Sequence, residues 1–60
     1  MKVKELWKDP SIIEIEVIGK NWRAWLERPT SIKWIEDLEI RNQNRIRTSI
    51  PGTWKVIVYV

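Results

Sequence analysis

The residues best equipped for chemistry sit in one short stretch, Arg41-Asn42-Gln43-Asn44-Arg45-Ile46-Arg47, which sets three guanidinium groups among three amides. Guanidinium forks hold phosphate and carboxylate through paired N–H donors, and side-chain amides can donate to or accept from the edges of bases. The chemistry suggested is capture of a phosphate backbone. Catalysis is not suggested. The chain has no histidine and no cysteine, which removes the usual proton carrier near neutral pH, the thiolate nucleophile and the common zinc ligand sets. There is no glycine-rich phosphate loop and no nucleophile beside a base, so no enzyme activity, metal, cofactor or small-molecule substrate is expected. The acidic cluster Glu36, Asp37 and Glu39 has the donor types for acid-base work or a divalent cation. Its plainer reading is a solvated face, with Glu39 neutralised by Arg47.

The arginines need an element to aim them. Residues 37–49 fold back on themselves if Asn42, Gln43 and Asn44 form a hairpin loop, Asn44 being the residue that tolerates a left-handed backbone. Ile40 then faces Ile46, Glu39 faces Arg47, and Arg41 faces Arg45. Like charges directly opposite are unfavourable, and an anion held between Arg41 and Arg45 relieves that, with Gln43 and Asn44 at the tip. The alternative is that these arginines splay into water and discourage edge-to-edge pairing.

Alternation also organises the start of the chain. In Ile12-Ile13-Glu14-Ile15-Glu16-Val17-Ile18, Ile13, Ile15 and Val17 share one face. A two-residue loop at Gly19-Lys20 pairs Val17 with Trp22, Ile15 with Ala24, Ile13 with Leu26 and Glu16 with Arg23. Trp22, Trp34 and Trp54 share parity with aliphatic neighbours and read as core. Trp25 falls on the other face beside Glu14. There it serves either as a stacking platform for a base or a proline-rich peptide, or as the cover of a second small core with Ile57, Tyr59 and Trp7.

Residues 27–39 are read as a strand bent near 35–37. The acids gather toward the C-terminal end, where the helix dipole disfavours them, and no capping box opens the segment. Pro51-Gly52 is placed as the centre of a type II turn. The final run, Trp54 to Val60, is apolar on both faces, as a strand at the centre of a barrel or at the seam of a homodimer is.

Sixty residues make a single small β domain, residues 1–60, near the size limit for folding unaided. The expected fold is all-β, a small antiparallel barrel or curled sheet of about five to seven short strands, SH3-like in size and without a helix. Aromatic motifs of an SH3 peptide-binding domain are absent. The N-terminus carries a charge at every second or third position, so no signal peptide and no membrane span is expected, and a reducing cytoplasm is the simplest location. A net charge of +3 and a pI near 9.6 give a mild attraction to polyanions.

The expected function is therefore non-enzymatic nucleic-acid binding, DNA or RNA, through Arg41, Gln43, Asn44, Arg45, Arg47 and Trp25. The alternative is a protein-interaction or homodimer-forming module, or an accessory subunit of a larger assembly, using Ile57, Tyr59 and Val60.

Overall fold

The fold is known from a computed structural model that describes residues 1–28 and 32–60. A 3-10 helix, Val3–Lys8, precedes β1 (Ile12–Ile18), β2 (Arg23–Glu27), a single helical turn α1 (Lys33–Glu36), β3 (Asn42–Arg47) and β4 (Trp54–Tyr59). The four strands form one sheet in the order β2-β1-β4-β3. β1 and β4 run parallel at its centre, and each is flanked on the outside by its own antiparallel hairpin partner.

Burial explains this order. Ile12, Ile15 and Val17 of β1 and Val56 and Val58 of β4 have no exposed surface, so the two most apolar strands shield each other. Val3 and Leu6 of the 3-10 helix and Ile35 of α1 close the same core. Three-residue spacing puts Val3 and Leu6 on one side of the 3-10 helix. The opposite face of the sheet is covered, among the described residues, only by side chains of the sheet itself.

The structure corrects the expected barrel. The sheet is open, mixed and four-stranded, because the parallel pairing of β1 with β4 leaves β2 and β3 at opposite edges, where they cannot meet. β4 is central, as its two apolar faces require, but in an open sheet.

The first hairpin also shifts. The Gly19 N–H donates to the Trp22 carbonyl at 2.9 Å, so the loop centres on Lys20-Asn21 and the register pairs Val17 with Ala24, Ile15 with Leu26 and Ile18 with Arg23. Gly19 has no positive φ, which excludes the type II′ turn. Its value is steric, since a Cβ there would lie 2.1 Å from Trp22 Nε1. At the far end of β1 the pairing with β4 slips by a residue between Ile12 and Glu14, so Ile12 rather than Ile13 enters the core.

Lys33–Glu36 is helical rather than extended, since the turn buries Ile35 while leaving Ile32 and Trp34 outside. Residues 29–31 of the expected strand lie outside the described residues. Trp34 is not core. It is 61% exposed and packs against Trp22 in a tilted pair, 5.3 Å between ring centroids and 54° between planes. The Pro51-Gly52 turn has the expected form, with Gly52 at φ 80° and the Thr53 N–H donating to the Ile50 carbonyl at 3.2 Å.

Gly19→Ala should cost about 1–3 kcal/mol, the range for overpacking, because the new methyl must displace an indole already packed against Trp34. Denaturant titration followed by Trp fluorescence measures this. A midpoint unchanged from the wild type would mean that Trp22 has room to move.

Candidate nucleic-acid interface

β3 is the stretch with the arginines, and it is a strand rather than a hairpin tip. Asn42 pairs with Tyr59, Gln43 with Val58, Asn44 with Ile57, Arg45 with Val56, Ile46 with Lys55 and Arg47 with Trp54. Asn44 does not adopt a positive φ, and the turn falls at Pro51-Gly52, whose sequence pre-sets it. Every residue of β3 is exposed.

Strand geometry then separates residues that the hairpin brought together. Arg41 and Arg45 lie along one chain direction, about 13 Å apart at the rise of a strand, so they do not face each other across a loop mouth. Arg41 N–H donates to the Tyr59 carbonyl at 2.8 Å. Gln43, Arg45 and Arg47 project to the core side of the sheet edge and Asn42, Asn44 and Ile46 to the uncovered side, as partners of core-facing and outward-facing β4 residues respectively. Glu39 does not pair with Arg47. It binds the N-terminal amine of Met1 at 2.9 Å.

The guanidiniums of Arg47 and Arg45 instead lie over the Trp54 ring, 4.9 and 5.7 Å from its centroid. Arg45 also reaches Asp9 at 3.5 Å. Trp54 is thus the half-buried floor of the arginine cluster, a role the sequence reading missed. No local signal pointed to it: a two-residue turn at Pro51-Gly52 would set Arg47 opposite Val56, whereas the hairpin closes at Thr48 and Thr53 around the four-residue loop 49–52, which brings Arg47 opposite Trp54.

Backbone alternation gives this edge a second feature. The Thr48 N–H donates to the Thr53 carbonyl, so Asn42, Asn44 and Ile46 turn their peptide groups toward β4, and Gln43, Arg45 and Arg47 turn theirs outward. The Gln43 N–H is taken by Asn42 Oδ1 at 2.9 Å. The peptide groups of Arg45 and Arg47 remain open to an added partner.

Trp25 belongs elsewhere. A row Asn44, Ile57, Glu16, Trp25 crosses the uncovered face, and three strand spacings of about 14 Å separate its ends. Trp25 is 55% exposed and carries Lys55 Nζ over its ring at 3.8 Å. It builds no second core with Trp7, whose indole N–H binds Glu36 at 2.8 Å. Beneath Trp25, Glu16 is 8% exposed and accepts from Arg23 Nε at 2.8 Å and Lys55 Nζ at 3.1 Å. Ile57 and Tyr59 are half-buried on this face, whereas Val60 packs against the core and its N–H donates to the Ile18 carbonyl at 3.1 Å. Val60 is half-buried on the core side and does not share the face of Ile57 and Tyr59.

The acidic cluster is dispersed. Glu36 serves Trp7, Asp37 pairs with Lys4 at 3.1 Å, and Glu39 serves the N-terminus. Among the described residues no helix is long and apolar enough to cross a membrane. Comparison of the chain with protein-family models, with curated proteins and with solved structures finds no match.

Glu16→Ala should lose roughly 3 kcal/mol, the low end for a buried ion pair broken on one side, because it strands Lys55 inside the sheet surface. Urea unfolding measures it; a loss below about 0.5 kcal/mol, the range of an ordinary surface change, would reduce the pair to surface decoration.

Stability should also fall at both pH extremes. Hydrogen bonds from the Ser11 hydroxyl and N–H hold the Asp9 carboxyl below its usual range, the Lys4 ammonium does so for Asp37, and the Lys2 N–H for Glu5. Such groups stabilise the fold above their unfolded-state values, and the benefit is lost as pH falls through their lower folded-state values. Glu39 holds the N-terminal amine above its usual value, so that benefit is complete below the unfolded value and disappears as pH rises through the folded one. A plateau between about pH 5 and 8 should appear in melting temperature against pH, and Asp9→Asn should flatten the acid limb.

Proposed function

We propose that the chain binds nucleic acid by laying a phosphate backbone along the β3 edge. One observation carries this reading. The chain has 11 basic and 8 acidic residues; with Arg41, Arg45 and Arg47 set aside, eight basic residues balance eight acidic ones, and residues 41–47 contain no acid. Residues 41–47 thus carry three positive charges, equal in size to the formal net charge, and of these Arg45 has an acidic partner in Asp9. Arg45 and Arg47 project on the same side about 6.8 Å apart, and their outward peptide N–H groups add neutral donors to the same line. Gln43 shares their side of the edge, Asn44 takes the other, and Arg41 extends the line at its start. Trp25 stands too far across the sheet to stack a base of a strand that follows β3.

A second reading, contact with protein, is supported by the uncovered face that carries Trp25, Ile57 and Tyr59. β4 has a strand on each side, so Ile57 and Tyr59 meet a partner face-on and not by strand addition.

The double variant Arg41→Ala/Arg47→Ala should weaken binding to oligonucleotides of any sequence by similar factors. The slope of log K against log salt should fall by about 1.4 on single strands, about 0.7 for each phosphate contact removed. Fluorescence titration at two or more salt concentrations reads both. An unchanged affinity would remove the arginines from the site and leave the protein-contact reading.

A further inference from the structure

The two edges of the sheet differ in what they can accept. At β2, the Gly19–Trp22 bond and the Ile18 carbonyl, which accepts from Val60 on the β4 side, fix the alternation. Ala24 and Leu26 bond to β1, while Arg23, Trp25 and Glu27 turn their peptide N–H and carbonyl groups away from the sheet. The side chains of these three residues all lie on the uncovered face.

We infer that β2 pairs with β2 of a second copy, antiparallel about a two-fold axis at Trp25. That register sets Trp25 against Trp25, Arg23 against Glu27 and Glu27 against Arg23, so each copy presents what the other lacks. The outward peptide groups belong to these same residues, so the pairing completes their backbone hydrogen bonds. Ala24 falls opposite Leu26 on the other face, extending the core across the seam.

The charges of the single chain favour this partner. Glu27 lies directly opposite Glu14 in the register of β1 and β2, a like-charge pair with no ion-pair partner among the described residues. Arg23 engages Glu16 through Nε at 2.8 Å while its side chain is 68% exposed, so its guanidinium can also reach a second carboxylate. The most exposed tryptophans, Trp25 and Trp34, lie at this edge, Trp34 through its tilted contact with Trp22 just before β2. The same operation at β3 sets Arg45 against Arg45 and Gln43 against Arg47, which like charge opposes. A second copy therefore fits β2 and leaves the arginine edge free. This inference does not rest on the phosphate reading.

Sedimentation equilibrium of the whole chain, with amide hydrogen exchange at low and high concentration, tests it. The wild type should shift from monomer to dimer with concentration, and the amides of Arg23, Trp25 and Glu27 should gain protection only in the dimer, while those of Ala24 and Leu26 are protected throughout. Glu27→Arg relieves the clash with Glu14, so the monomer should keep its circular dichroism and melting temperature. The same change sets Arg against Arg at both ends of the seam and should raise the dimer Kd at least about tenfold. A monomer up to about 1 mM, a dimer indifferent to Glu27→Arg, or a dimer without new protection at Trp25 overturns the proposal.

Discussion

The parallel pairing of β1 with β4 is the constraint on which the rest depends. Five aliphatic side chains of these strands, Ile12, Ile15, Val17, Val56 and Val58, are fully removed from water, and burial of this kind is worth roughly 1.5–3 kcal/mol per side chain. Among the described residues no other pair of strands holds as many fully buried side chains. A parallel pair cannot be joined by a tight turn, so the chain between them must form both outer strands and the helical turn that carries Ile35. The edges, the open face and the position of every arginine follow from that.

The edges are handled by different electrostatic means. β3 carries two cations over Trp54 and opposes a copy of itself, as exposed edges in natural sheets commonly do. β2 has a basic residue at one end, an acidic residue at the other and an indole between them. A sheet with one self-repelling and one self-complementary edge can associate without growing into a fibre.

The uncovered face is stabilised without a second layer. Glu16 binds one largely buried cation, Lys55, whose ammonium lies under the cover of the Trp25 ring, and one exposed cation, Arg23, whose stem lies along the sheet while its head reaches water. Trp25 over the Lys55 ammonium adds a cation–π contact to the same group. The cluster lets a single sheet of a 60-residue chain keep a mostly polar outer face over a dry centre.

Local patterns determined a good deal here. Alternation in β1 and β4 identified strands, their faces and the core residues Ile15, Val17, Val56 and Val58; the Pro51-Gly52 pair specified its own turn; and the concentration of charge at residues 41–47 is a property of composition alone. The tertiary structure decided where those elements lie. Asn42 to Asn44 suit a loop locally, but the need of β4 for a second neighbour drew them into a strand, because burial of its apolar residues outweighs a weak turn preference. Likewise Gly19 could have opened a type II′ turn, yet the indole of Trp22 required the space above it. One bulge at Ile13 exchanged the residue that enters the core. The arginines were visible in the sequence; that they lie in line along an edge, over Trp54 and far from Trp25, follows from the parallel contact between residues some forty positions apart, which no local pattern encodes.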